Sequence, residues 1–304
     1  MLRALLIAAA LLVAAPASAG AVVVGIGDQK PDMFGDPRFH ALQIKHARLT
    51  VPWDAMRHGW QVAEIDAWMN AARAHGVHPL VSFGHSRVRR RELPQPHVFA
   101  REFRKVRARY PWVWNFATWN EANHCGEPVC RRERLAASYH RKLQLECPRC
   151  RILAAEVLDM PNMLKWVRRF RRAYRRYDMG EPRIWGLHNY VEANRFRARS
   201  VRQLLRHAKG TVWLTEVGGI VKRRNINRHS VRGIPESRRH AARVTRFLLR
   251  RVIPRYRRVT RIYLYHWNSS TRRDSWDSAF IGPDDRVRPA LRVLRRHLRR
   301  MRGR

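Results

Sequence analysis

The stretch VWNFATW at Val113–Trp119 is rich in aromatic and β-branched residues and has the length of a buried β-strand. A charged segment of helical composition follows at residues 131–146, and a second apolar run follows that segment at Ile152–Val157. A strand, a helix and a further strand of this kind form the repeating unit of a parallel sheet whose helices pack outside it. The fold therefore depends on how often this unit recurs along the chain.

Strand-like runs occur at eight places: Val22–Ile26, His46–Val51, Val77–Phe83, Val113–Trp119, Ile152–Val157, Ile184–His188, Val212–Glu216 and Arg261–Trp267. Apolar residues at helical spacing lie between them, as in Val62/Ile65/Met69/Ala72, Val167/Phe170/Tyr174/Tyr177, Ala241/Val244/Leu248/Val252 and Leu291/Leu294/Leu298/Met301. The helix around Asp36–Gln43 has the weakest pattern. Eight alternations predict an α/β fold, a single-domain (β/α)8 TIM barrel, for which about 250 residues is typical. A doubly wound open sheet is the alternative, but no glycine-rich dinucleotide-binding turn follows the first run.

The first 19 residues have the pattern of a secretory signal peptide. Arg3 precedes an unbroken apolar run at Ala4–Ala15, and Ala17-Ser18-Ala19 supplies the small residues of a cleavage site. The run is shorter than the about 20 residues that a membrane span needs, although an uncleaved anchor is the alternative. We therefore expect a signal peptide at 1–19 and a secreted catalytic or binding domain at 20–304. No membrane span is expected in the mature chain, which we expect to be a monomer.

Export makes disulfide bonds possible, and the four cysteines form two close pairs, Cys125/Cys130 and Cys147/Cys150. A zinc site is the competing interpretation. The segment between the pairs is predicted to be helical, and at about 1.5 Å per residue it would hold them about 20 Å apart. We therefore predict two local disulfides. No metal, nucleotide or cofactor motif stands out elsewhere in the sequence.

The composition is strongly basic, with 63 Lys+Arg, 23 Asp+Glu and a formal charge of +40. The 45% hydrophobic content excludes a disordered chain. In Trp166–Tyr177 the arginines lie opposite the apolar stripe, which indicates a solvated outer helix face. Because no recognised nucleic-acid-binding motif accompanies the charge, no specific nucleic-acid partner is expected.

In a barrel of this type, chemistry is located at the carboxyl ends of the strands. Glu121 follows the fourth run, in Thr118–Asn123, and Glu216 ends the seventh, in Trp213–Gly219. These two strand ends face each other across the mouth of an eight-stranded ring. Two facing carboxylates suit glycoside hydrolysis, in which one protonates the leaving oxygen and the other attacks the sugar or activates water. For either glutamate alone, a salt bridge to a rim arginine is an equally good interpretation.

Asn120-Glu121 after a tryptophan, together with Thr215-Glu216-x-Gly218, resembles the clan A retaining glycoside hydrolases, and families 5 and 39 are nearest in pattern. The resemblance follows the strand order of the whole mature chain. It implies Glu121 as acid/base, Glu216 as nucleophile and Asn120 as a contact of the sugar 2-hydroxyl, with no cofactor. Where many members have proline after Asn-Glu, this chain has Ala122-Asn123, so the leaving-group sites are expected to differ.

Further site residues are implied by the same resemblance. Arg48, within the second strand, is expected to lie close to Glu216, with a structural ion pair as the alternative. His188 and Tyr190 resemble the clan's His-x-Tyr, so Tyr190 is expected to donate to Glu216 and His188 to line the pocket. Trp267 is expected to lie beneath the cleaved sugar. His85 and Glu156 are candidate substrate contacts that are not expected to be catalytic.

The acid is expected to have a raised pKa and the nucleophile a low one. The sequence therefore predicts a secreted retaining glycosidase that acts on a carbohydrate. Basic residues predicted in the loop after the third strand (Arg87, Arg89, Arg90, Arg91) and after the seventh (Lys222, Arg223, Arg224, Arg228, Arg232, Arg238, Arg239) suggest that the substrate is anionic. The alternative is a non-catalytic barrel that binds an anionic glycan or nucleic acid through its basic surface.

Overall fold

The computed structural model describes residues 22–224, 233–271 and 273–303. The predicted signal peptide and part of the loop at 218–235, including Arg228 and Arg232, lie outside these ranges. Within the described residues, no helix combines the length and the apolar composition needed to cross a membrane.

The first half of the chain alternates strands and helices in the predicted order. The elements are β1 (Val23–Gly27), α1 (Pro37–His40), β2 (His46–Pro52), α2 (Gly59–Ala74), β3 (His78–Gly84), α3 (Pro96–Arg109), β4 (Asn115–Ala117) and α4 (Glu133–Glu146). Short 3-10 turns at Pro31–Gly35 and Ala55–Arg57 precede α1 and α2. The Asp36 side chain caps α1 by accepting from the Arg38 backbone N–H, which explains how this weakly patterned, four-residue helix begins.

The second half continues the alternation and adds a small sheet. The elements are β5 (Arg151–Leu153), β6 (Glu156–Leu158), α5 (Met163–Tyr174), β7 (Ile184–His188), α6 (Tyr190–Asn194), α7 (Arg199–His207), β8 (Thr211–Val217), β9 (Lys222–Arg223), α8 (Arg238–Phe247), α9 (Ile253–Arg255), β10 (Val259–Tyr265), β11 (Trp276–Asp277) and α10 (Pro289–Arg302). A 3-10 turn at Arg175–Tyr177 follows α5, and a π-helical segment at Leu248–Val252 joins α8 to α9.

The strands form a parallel sheet in the order β5-β4-β3-β2-β1-β10-β8-β7-β6. The fifth predicted strand, Ile152–Val157, is divided between β5 and β6. Its first part pairs with β4 and its second part pairs with β7, so the two ends of the sheet meet at Ala154-Ala155. The Ala154 N–H donates to Ile184 C=O and the Gly186 N–H donates to Ala155 C=O. The sheet therefore closes into the predicted (β/α)8 barrel.

The barrel interior is arranged in layers along its axis. An apolar middle layer contains Leu80, Ala117, Leu153, Trp213 and Tyr263, all of them buried. Because side chains alternate along a strand, residues two positions earlier or later point the same way into the barrel. Two positions after Leu80 the carboxyl end carries Ser82, and two positions before Tyr263 the amino end carries Arg261. Polar side chains thus lie at both ends of the barrel interior, above and below the apolar middle layer.

The main hydrophobic core lies between the strands and the surrounding helices. In α5, Trp166, Phe170 and Tyr174 are buried, whereas Arg168, Arg169 and Arg172 are not. The outward position of these arginines follows the helical period, as predicted from the sequence.

Two features differ from the sequence expectation. The fourth strand is shorter than predicted, because regular pairing with β3 and β5 is limited to Asn115–Ala117. A small antiparallel sheet, β9 with β11, joins the loops after β8 and β10. It was not predicted, because such short strands carry no measurable periodicity.

Candidate active site

Polar side chains from six strands meet at the carboxyl end of the barrel. Arg48 comes from β2, Ser82 from β3, and Asn120 and Glu121 from the segment after β4. Glu156 comes from β6, His188 from the end of β7 and Glu216 from β8. Closure of the sheet brings these residues together from positions as much as 168 residues apart along the chain.

Arg48 is the centre of this cluster and is fully buried. Its Nη1 donates to Glu216 Oε2 at 2.7 Å, and its Nη2 donates to Glu156 Oε2 and Asn120 Oδ1, each at 2.7 Å. Its Nε lies 2.9 Å from Glu156 Oε1 and 3.0 Å from Ser82 Oγ. Burial alone would lower the pKa of the guanidinium, but the charges of Glu156 and Glu216 raise it above its ordinary value. The structure thus places Arg48 beside Glu216.

Both carboxylate oxygens of Glu216 accept a hydrogen bond from a neighbouring side chain. Arg48 donates to Oε2, and the Tyr190 hydroxyl donates to Oε1 at 3.1 Å. The side chain of Glu216 is 18% exposed, so it is accessible from the mouth of the barrel. Burial and the Glu216 charge raise the pKa of Tyr190 well above its ordinary value, which keeps this hydroxyl a donor. Two donors fix the orientation of this accessible carboxylate.

Glu121 lies beside two histidines. Its Oε1 is 3.1 Å from His188 Nδ1, its Oε2 is 3.6 Å from His124 Nδ1, and its side chain is 23% exposed. The backbone of Glu121 has φ 44°, in the left-handed region that side-chain-bearing residues rarely adopt. A strained backbone at a residue that faces a cleft is characteristic of functional sites.

The pKa of Glu121 differs from the sequence expectation. Burial raises the pKa of this carboxyl, but the hydrogen bond and charge of His188, with smaller contributions from His124 and Arg48, lower it below its usual value. The expectation of a raised pKa for the acid is therefore wrong for this state of the site. The sequence could not show that His188 donates to this carboxyl.

His188 is protonated at neutral pH, and its positive charge offsets the negative charge of the neighbouring glutamates. Burial lowers its pKa, but the charge of Glu216 and the hydrogen bonds of Glu121 and Glu156 outweigh that effect and raise it to about 9. At neutral pH the cluster thus holds two buried positive groups, Arg48 and His188, among three glutamates. A charge arrangement of this kind, with strongly shifted pKa values facing a cleft, is a recognised indicator of an active site.

Glu156 has a different position from the one expected. It was a candidate substrate contact, but its side chain is fully buried and paired with Arg48. Burial raises its pKa, while the charge of Arg48 and the contact with His188 hold it well below its usual range. Glu156 therefore supports Arg48 from beneath and does not face the mouth.

Near the mouth, Trp267 is more deeply buried than expected, and Tyr265 is an additional aromatic side chain. Trp267 is fully buried, where its indole N–H donates to Asp36 Oδ2 at 2.9 Å and its ring packs edge-on against Phe39 at 5.4 Å. Its role beneath a sugar stays a prediction. Tyr265, at the end of β10, is only partly buried, and burial and the charge of Glu216 raise its pKa. Sequence reasoning missed Tyr265, whose position at a strand end was the available signal.

The two predicted disulfides are confirmed, with Cys125 bonded to Cys130 and Cys147 bonded to Cys150. The first closes the loop that follows Glu121 and carries Glu127. That carboxylate accepts from Trp119 Nε1 at 3.0 Å and lies 2.7 Å from His85 Nδ1. The loop therefore holds His85 at the mouth. No cluster of His, Cys, Asp and Glu side chains suited to a metal ion occurs in the part of the chain that the structure describes.

No protein-family model and no curated protein matches this sequence. Solved structures do match its fold. A GH5_18 protein from Streptomyces cattleya, solved in complex with Manb1-4GlcNAc, has a TM-score of 0.68 at 15% identity, over 93% of this chain and 81% of its own. Native xylanase 10B from Thermotoga maritima has a TM-score of 0.64 at 9% identity, over 95% of this chain and 98% of its own.

A family 39 glycoside hydrolase from Bacteroides cellulosilyticus WH2 has a TM-score of 0.57 at 12% identity, over 91% of this chain and 63% of its own. These structures include families 5 and 39, which the sequence motifs resemble. At such low identity the likeness shows the fold. What the chain does has to be argued from its own site.

Proposed function

We propose that this chain is a secreted retaining glycoside hydrolase that cleaves O-glycosidic bonds of an oligo- or polysaccharide. One observation carries the proposal: Glu121 and Glu216 are both partly exposed, Glu121 bonds to His188 and Glu216 bonds to Arg48, and the buried Glu156 lies against both of these basic groups. The carbohydrate complexes of the similar Streptomyces cattleya structures support a sugar as the substrate class. The two disulfides suit an exported protein.

The geometry supports Glu216 as the nucleophile. Its two Oε atoms accept from Arg48 and Tyr190, and these hydrogen bonds fix the orientation of the carboxylate. In the first step one of these oxygens bonds to the anomeric carbon, the glycosidic C–O bond breaks, and the leaving oxygen takes a proton. In the second step water attacks the same carbon and releases Glu216.

Glu121 is the proposed acid and base. At neutral pH one proton resides in the hydrogen bond between His188 and Glu121, on the His188 side. Transfer along this bond makes the proton available to Glu121 as the leaving oxygen departs, and Glu121 then accepts a proton from the attacking water. Asn120, whose Oδ1 accepts from Arg48, is the proposed contact of the sugar 2-hydroxyl.

Replacement of either glutamate tests the proposal. We expect Glu121→Gln and Glu216→Gln each to lower kcat on an activated aryl glycoside by about 10³-fold or more, with an unchanged thermal midpoint. Glu146→Gln, at the far end of α4, is the matched control and should retain activity. NMR of the first product should show a retained anomeric configuration.

Unchanged turnover in either variant would remove that glutamate from the mechanism. An inverted product would exclude the retaining mechanism while leaving a glycosidase.

A groove on the outer surface favours a second function, the binding of an anionic polymer. This cavity of about 840 Å³ lies near the start of α3 and beside α4 and α5. Its charged lining residues are one glutamate, Glu133, and seven arginines: Arg91, Arg131, Arg132, Arg134, Arg169, Arg172 and Arg176. In the two loops at the mouth, by contrast, several arginines pair with acids, as in Arg87–Glu64, Arg89–Glu92, Arg223–Glu236 and Arg238–Asp284.

Binding of sodium polygalacturonate at increasing salt tests this second function. We expect the affinity to fall steeply with salt, and to fall further when Arg131, Arg134 and Arg172 are together replaced by glutamine. Binding that is independent of both salt and these arginines would exclude the groove as a polyanion site.

A further inference from the structure

The amino end of the barrel interior carries a second group of polar side chains, which lie near the start of four strands. His46 begins β2, His78 begins β3 and Arg151 begins β5. Arg261 lies in the first half of β10. Each of the four lies two positions before a side chain that points into the barrel interior. Because side chains alternate along a strand, all four point into the amino end of the barrel.

These side chains form one basic cluster. The rings of His46 and His78 are 5.4 Å apart. The pKa of His46 is lowered to about 4 by burial and by three neighbouring basic charges, of which Arg261 contributes most. The other two charges are those of His78 and Arg151, whose side chains are exposed to solvent. The cluster therefore has an excess of positive charge, and it can be reached from outside the barrel.

Arg261 is the most deeply buried member of the cluster, with 9% exposure. Its guanidinium stacks over the Trp213 ring at 4.0 Å, and its Nη1 donates to the Tyr263 hydroxyl at 3.4 Å. Among the residues that the structure describes, no carboxylate pairs with this guanidinium. Buried charges in folded proteins are normally paired, so Arg261 calls for an anion from outside the chain.

The acids that come before β5 and β7 are engaged elsewhere. Glu146, at the end of α4, pairs with Arg104 at 2.6 Å. Glu181, before β7, pairs with Arg171 at 2.8 Å. These two carboxylates therefore already have basic partners on the outer helices and are not available to the cluster inside the barrel.

We propose that the amino end of the barrel binds a small tetrahedral oxyanion, either inorganic phosphate or the phosphate group of a larger molecule. Arg261 and Arg151 supply its charged donors, and His46 and His78 lie beside it. Guanidinium groups suit this ligand because they form charge-assisted hydrogen bonds to phosphate oxygens. The site lies at the opposite end of the barrel from Glu121 and does not depend on the proposed glycosidase function.

Calorimetric titration of sodium phosphate into the full chain at pH 7 tests this site. In about 0.1 M sodium chloride, which screens weak surface attraction, we expect a dissociation constant of about 1 mM or lower. Arg261→Gln and Arg151→Gln should each raise this constant at least about tenfold, because each removes a charged donor. Arg292→Gln, at an exposed position of α10, is the matched control and should leave it unchanged.

Arg151→Gln keeps the test decisive if Arg261→Gln does not fold. Arg151 is exposed, and its side chain has no hydrogen-bond partner within the described ranges, so its replacement should leave the fold intact. Phosphate should also raise the thermal midpoint of the wild type, since it binds only the folded state, whereas sodium chloride at equal ionic strength should not. The same addition should have less effect on Arg151→Gln.

Glycerol 2-phosphate distinguishes the two sources of the anion. Binding of this ester as well as of inorganic phosphate would show that the site accepts a phosphate group on a larger molecule. Binding of inorganic phosphate alone would show a site for the free ion. Absence of binding, or a dissociation constant that neither Arg261→Gln nor Arg151→Gln changes, would mean an adventitious ion only and would overturn the proposal.

Discussion

The two ends of the barrel interior contain the same types of basic side chain in different surroundings. At the carboxyl end, Arg48 bonds to Glu156 and Glu216, and the pKa of His188 is raised to about 9. At the amino end, Arg261 stacks over Trp213 at 4.0 Å. There, burial and the charge of Arg261 lower the pKa of His46 to about 4.

Burial acts in the same direction on both histidines, since it disfavours the charged form. The difference lies in the carboxylates, which His188 faces and His46 does not. In a chain with a formal charge of +40, a buried arginine or histidine therefore says little about function by itself. The end of the barrel where the scarce acids converge is the end where a charged, proton-holding site is built.

Loss of Arg48 should have the largest effect on stability. Arg48→Met leaves the buried Glu156 without its ion partner, and we expect the free energy of unfolding at pH 7 to fall by about 3–5 kcal/mol. Arg261→Met removes mainly a cation–π contact and should cost about 1–2 kcal/mol. Urea denaturation of both variants measures the difference. Equal losses would show that the carboxylates do not distinguish the two ends.

The two histidines should titrate in opposite directions. The folded-state pKa of His188, about 9, lies above its unfolded value near 6.5, so its stabilisation is complete below about pH 6.5 and is lost as the pH rises to about 9. A shift of this size corresponds to about 3 kcal/mol. His188→Gln should remove this alkaline slope from the pH dependence of the unfolding free energy.

The half-buried His46 has a folded-state pKa below its unfolded value. Because the unfolded chain takes up a proton at His46 before the folded protein does, the folded state loses stability as the pH falls from about 6.5 to about 4. His46→Gln should reduce the acid-side slope and leave the alkaline slope intact. If each substitution changed the other's pH range, the assignment of the two pKa values would be wrong.

Substitution of two strand glycines should have the smallest effect on stability. A Cβ at Gly186 would lie 2.6 Å from Glu156 Cγ, and one at Gly25 would lie 2.6 Å from Tyr263 Cδ1. We expect Gly186→Ala and Gly25→Ala each to destabilise the fold by about 1–3 kcal/mol. Only Gly186→Ala should also lower kcat/KM, by about tenfold to a hundredfold, because it displaces the support of Arg48.

Gly27→Ala is the matched control for this pair. Its Cβ would meet Tyr265 Cδ2 at 3.6 Å and Arg48 Cβ at 4.0 Å, which are ordinary contacts. The thermal midpoint and kcat/KM of the three variants are compared with those of the wild type. If Gly25→Ala lowered kcat/KM as much as Gly186→Ala, displacement of the middle layer at Tyr263 would disturb the site as much as displacement of Glu156.

The alternation of strands and helices, the two disulfides and the positions of Glu121 and Glu216 at strand ends could be predicted from the sequence. Each of these depends on residues close together along the chain: a period of 2 or 3.6, a short cysteine spacing, or a carboxylate directly after an apolar run. Arg48 could be singled out because arginine is rare inside a strand.

The partners of these residues required the tertiary structure. Closure at Ala154-Ala155, the pairing of the buried Glu156 with Arg48 and the contact of His188 with Glu121 all depend on elements that are distant along the chain. A pKa and a hydrogen bond depend on distances in space, which the local period of a sequence does not contain. The sequence therefore determined which residues stand at the mouth of the barrel. The three-dimensional fold alone decided which of them are charged, covered or free to meet a substrate.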